Sequence, residues 1–177
     1  MKIFISTRIR IMVDKPENNE KHQNYIELTE SQIFEKIKED LNPIQENLAE
    51  KKITINEAKS ELKKINEWLQ WTKLEDEDKK EIWTAFEKLI NLEKNIDENT
   101  LKNEVDKIIN LVEALTKKDL ANLKRWIQHK QRWNPERPPE VQEWIDIASN
   151  NLENLPKEDN NIIANRALNK IHEYLQS

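Results

Sequence analysis

Residues 97–132 read DENTLKNEVDKIINLVEALTKKDLANLKRWIQHKQR. Leu101, Val105, Ile108, Val112 and Leu115 recur at intervals of three and four. At 100° per residue they form one apolar stripe along a helix, with lysine and glutamate on the remaining surface. Asp97 stands where an N-cap carboxylate would accept the first free backbone N–H groups. Thr116, with Asp119 three residues later, repeats the signature of a helix start. The stretch therefore predicts two helices, one ending near Leu115 and one running from Thr116 to about Arg132.

The same logic extends in both directions. Thr29 and Gln32 form a capping box, with Leu28 and Ile33 as its hydrophobic staple, and Thr54 with Glu57 repeats the device. The stripe Ile33, Ile37, Leu41, Ile44, Leu48 keeps its phase through Pro43, which favours a kinked helix over a break. Glu75–Asp78 places acids at the positive end of another helix, and Pro138–Pro139 opens the one after residue 133. A last stripe runs Ala164, Leu168, Ile171, Leu175. Short connections favour antiparallel neighbours. The expected fold is all-α, an antiparallel bundle or a short stack of helical hairpins with about seven helices, spanning residues 29–177.

Residues 1–28 differ. Ile3, Ile5, Thr7, Ile9, Ile11 and Val13 alternate with Lys2, Phe4, Ser6, Arg8, Arg10 and Met12, the period of a β-strand. Tyr25–Leu28 could pair with it, so an N-terminal arm of one strand or a two-stranded ribbon is expected. An unpaired edge there, with Ile3, Ile5, Arg8 and Arg10 along it, could add to a partner's sheet.

Composition excludes more than it assigns. The 177 residues contain no glycine and no cysteine, where roughly 7% glycine is usual. Phosphate-cradling loops, dinucleotide fingerprints and nucleophile elbows all need glycine for steric reasons. Thiol catalysis, disulfides and thiolate metal sites are closed too. The heavy use of Lys, Glu, Asn and Ile is what an AT-rich genome produces, and asparagines such as Asn91, Asn95 and Asn150 are expected to take the left-handed turns at helix ends. His22, His129 and His172 are scattered, without the spacing of a helical metal site, and read as solvated. No catalytic residue, cofactor, metal or small-molecule substrate is expected. Arg8 and Arg10 break the only apolar start, so neither a signal peptide nor a membrane span is expected, and a cytoplasmic setting follows.

One region stands out. Residues 117–137 carry +5, whereas the rest of the chain carries −10. On a helical projection Lys118, Arg125, His129 and Arg132 share a face opposite Leu120, Leu123 and Ile127. Trp126 and Trp133 lie at the border, one heptad apart. Arginine beside tryptophan fits a protein-binding hot spot. The same stripe fits phosphate neutralisation with base stacking, although the chain's net charge of −5 disfavours nucleic acid. Core packing is the expectation for most of the six tryptophans, while exposure of Trp68 or Trp71 would point to an interface. The expected function is a non-enzymatic adaptor subunit of a larger assembly, acting by protein–protein contact. The alternatives are a nucleic-acid-binding small subunit of a ribonucleoprotein-type complex and a phage- or plasmid-encoded inhibitor of a host complex.

Overall fold

The computed structural model describes residues 28–92, 95–133, 138–155 and 158–177. Among them are six helices and no strand: α1 (Glu30–Ala49), α2 (Ile55–Leu69), α3 (Asp76–Ile90), α4 (Glu98–Trp133), α5 (Pro139–Glu153) and α6 (Glu158–Gln176). The expected strand at Lys2–Val13, with Ile3, Ile5, Arg8 and Arg10, lies outside the described residues. Of the short second strand only Leu28 is described; it lies in no strand and packs on the helical core.

Most helix starts follow from local chemistry. Thr29 accepts from Gln32 N while the Gln32 side chain accepts from Thr29 N, and Thr54 and Glu57 reciprocate in the same way. Asp97 Oδ1 accepts from Thr100 N at 2.7 Å. Pro139 opens α5, where a missing N–H costs nothing. Pro43 lies inside α1, whose buried stripe continues on both sides of it.

The helix ends depart from expectation. Asn91 has φ −88° and Asn150 lies within α5, so neither takes a left-handed turn. Among the described residues only Lys51 has positive φ, at 54°. Lys52 N donates to Asn47 O at 2.8 Å and Lys51 N donates to Leu48 O at 3.2 Å. This is a Schellman closure with lysine in the glycine position. Lys51→Gly should therefore stabilise the protein by about 1 kcal/mol, read as a raised urea midpoint, because the Cβ strain disappears.

The largest correction concerns residues 97–132. The two expected helices are one, α4, 36 residues long and about 54 Å from end to end. Thr116 does not cap a new helix. Its Oγ1 donates back to Val112 O at 2.8 Å, a bond compatible with a continuous helix. Asp119 is also turned away from the local backbone, as described below. The bundle therefore has six helices among the described residues, in place of about seven.

α4 serves two apolar cores in succession. Leu101, Val105, Ile108, Val112 and Leu115 pack with α1, α2 and α3, around Phe34 and Phe86. Leu120, Leu123 and Ile127 pack with α5 and α6, against Val141, Leu168 and Ile171. Between Leu115 and Leu120 the buried positions of α4 are polar, Thr116 and Asp119.

Candidate partner-binding face

The outer surface of α4 beyond residue 116 follows from its phase. Burying Leu120, Leu123 and Ile127 turns Lys117, Arg125, Trp126, His129, Arg132 and Trp133 to solvent. Trp126 is 45% exposed and Trp133 is 89% exposed. Tryptophan exposed to this degree leaves a large apolar surface in water, the usual mark of a contact surface.

The cations of this stretch divide into two sets. Lys118 is bound into the fold: its Nζ lies 2.6 Å from Oδ1 of buried Asp78 on α3. That contact holds the Lys118 ammonium above the ordinary lysine range. Lys124 Nζ donates to Ser149 Oγ at 3.0 Å. Lys130 Nζ donates to Tyr174 O at 2.6 Å and stands 4.5 Å from the Tyr174 ring centre. These three lysines tie α4 to its neighbours. Among the described residues, Lys117, Arg125, His129 and Arg132 make no such tie and keep their charge or polar tip on the surface.

Between Lys117 and Trp133 the chain has one acid, Asp119, and it is 2% exposed. Among the described residues the outer face of α4 from Lys117 to Trp133 therefore carries no carboxylate, in a protein whose net charge is −5. Of the six residues expected to form the site, five share this face and Lys118 does not serve it.

The tryptophan expectation also changes. Trp68 is buried at 8% and Trp144 packs on the second core, but Trp71 (49%) and Trp83 (41%) are exposed along with Trp126 and Trp133. Core packing thus accounts for a minority of the six. Trp68 forms part of the interior, with the Lys36 ammonium 5.6 Å from its ring centre.

No family model, curated protein or solved structure matches this chain. A polar cleft of about 400 Å³ between α1 and α4 is lined by Lys38, Asn42, Gln45, Asp106 and Glu113 among others. Two pairs of its polar groups satisfy one another: Lys38 Nζ pairs with Glu113 at 2.8 Å and Gln45 donates to Asp106. Among the described residues no three His, Asp or Glu side chains converge as metal ligands, and no helix is long and apolar enough to cross a membrane.

A second cluster is absent from the sequence-based site. His172, expected in solvent, is 8% exposed, and its Nε2 lies 3.0 Å from Asp119 Oδ2. Among the described residues no N–H points at Asp119 Oδ1. The Glu30 carboxyl lies beside Asp119. Burial raises the Glu30 carboxyl to about 7, helped by the charge of Asp119, the shared hydrogen bond and the charge of Glu75, while His172 acts in the opposite direction. The sequence does carry a trace of this cluster. Asp119 falls midway between Leu115 and Leu123 at steps of four, and His172 lies four residues after Leu168, so both sit on apolar faces.

Proposed function

We propose that this protein is a non-enzymatic helical binding subunit that joins a larger assembly by protein–protein contact through the outer face of α4. The observation that carries the reading is Trp133, 89% exposed and in line with Trp126, Arg125 and Arg132 on a face without carboxylates. Tryptophan and arginine dominate binding hot spots because they bury much area and bond at their polar ends. The absence of exposed acid suits a partner surface rich in Asp and Glu. Lys118, Lys124 and Lys130 bond within the protein, which leaves less charge for tracking a phosphate backbone and favours a protein partner over nucleic acid. The reading sets the protein in the cytoplasm, the compartment that suits a cysteine-free chain.

The test is purification of the tagged protein from its native cells with half the sample nuclease-treated. A co-purifying protein should survive nuclease, and Trp133→Ala should weaken its capture by at least about tenfold, roughly 1.4 kcal/mol or more. Arg125→Glu with Arg132→Glu should do the same while leaving the helical circular dichroism unchanged. A partner that these variants retain, or one that nuclease removes, overturns the reading.

A further inference from the structure

Charge in the second half of the protein is divided between two neighbouring helices. α5 carries Glu140, Glu143, Asp146 and Glu153 and no lysine or arginine. All four acids are exposed, because burial of Val141, Ile145, Ala148 and Leu152 turns them outward. Beside α5, the outer face of α4 presents Lys117, Arg125, His129 and Arg132. Among the described residues, Arg125 and Arg132 pair with no carboxylate, and none of the four α5 acids meets a cation. Opposite charges therefore stand on adjacent helices of one copy without neutralising each other.

The two helices run in opposite directions. Lys124 Nζ donates to Ser149 Oγ at 3.0 Å, and these residues lie nine before the end of α4 and ten after the start of α5. Counting outward from that contact, Arg125 stands level with Ala148 and Arg132 with Val141. The exposed acids nearest those levels are Asp146 for the first and Glu140 and Glu143 for the second, all within about one helical turn. A two-fold axis parallel to the pair keeps every level and exchanges the helices. α4 of each copy then lies over α5 of the other, a closed contact made twice. In that arrangement Arg125 meets Asp146 of the second copy, and Arg132 meets its Glu140 and Glu143.

We propose that the outer face of α4 takes a second copy of this chain: two copies pair about a two-fold axis, the basic face of α4 in each against the acidic face of α5 in the other. The inference rests on reading that α4 face as a protein-binding surface, and it names the occupant. Pairing α4 on α4, or α5 on α5, would set like charges against each other, so the charges select the crossed arrangement. Ion pairs exposed to water hold weakly. Trp126 and Trp133, which flank the basic stripe, supply apolar area for the contact. The charges fix which surface the tryptophans meet and make the pairing sensitive to salt.

Sedimentation velocity of the purified full chain tests the pairing. Between about 1 and 100 μM the mass should rise from one copy to two and stop there, and about 0.5 M salt should weaken the dimer at least about tenfold. Arg125→Glu with Arg132→Glu should leave a monomer with unchanged circular dichroism, and so should Glu143→Lys with Asp146→Lys. Mixing the two monomeric variants should restore a dimer. Each reversed face then meets the other reversed face, and the two native faces meet as before. A native chain still monomeric at about 100 μM, growth beyond two copies, a dimer that either variant leaves intact, or a mixture that does not pair overturns the proposal. A monomer whose native-cell partner is still lost on Trp133→Ala overturns the pairing while the α4 face stands as a binding surface for a different protein.

Discussion

Lys117→Pro is expected to destabilise this protein by about 3 kcal/mol or more. Lys117 is exposed and lies mid-helix in α4. The substitution removes the bond from its N–H to the Glu113 carbonyl and drives the ring against that carbonyl. Its side chain packs into neither core, so the loss reports the backbone alone. The result discriminates sharply between two structures. If Thr116 capped a new helix, Lys117 would occupy its first position, where proline is favoured and the change would be close to neutral. A shift of the urea midpoint at constant slope measures the difference. A neutral outcome would mean that the chain breaks at Thr116, and the shared spine of the two cores would be lost with it.

Phe86→Ala is expected to cost about 3–5 kcal/mol. Phe86 on α3 is 0% exposed and lies among the residues of the first core. Removing the ring takes away its burial energy and leaves a space that neighbouring helices, pinned by their own contacts, fill only in part. The architecture adds a second expectation. Because α4 runs through both cores without a break, the α5–α6 pair should lose hydrogen-exchange protection in step with α2 and α3 in global unfolding. Two separate transitions would show that the halves unfold independently.

The legible parts of the fold were those whose partners are close in sequence. Thr29 with Gln32 and Thr54 with Glu57 satisfy each other three residues apart, so residue identity and spacing were enough. The apolar stripes were legible because periodicity reports which face is buried, whatever covers it. For the same reason Arg125, His129 and Arg132, read as lying opposite Leu120, Leu123 and Ile127, are exposed, whereas Trp133, read at the border, stands out on the outer face. Thr116 and Asp119 show the limit. Their spacing satisfies a cap rule, but Asp119 bonds to His172, 53 residues away, and Thr116 bonds backwards to Val112. Lys118 shared a helical face with Arg125 on paper, and its pairing with Asp78, 40 residues away, withdraws it from the binding face. Trp71 and Trp83 are apolar enough for a core, and no local pattern reveals that they stay outside it.

Residue order alone established the helical character of the described residues, the boundaries of most helices and the basic outer face of the C-terminal half of α4. Each of these depends on contacts within one or two turns, which the spacing of residue types encodes directly. The missing glycine belongs here too, since threonine, aspartate and proline start the helices and Lys51 accepts the one left-handed turn among the described residues. Tertiary packing decided that residues 98–133 form one helix, that two cores share it, and that Glu30, Asp119 and His172 meet between them. Asp119 and His172 themselves lie 53 residues apart in sequence. The free energy of these outcomes comes from burial and charge in an environment that exists only after the helices have packed.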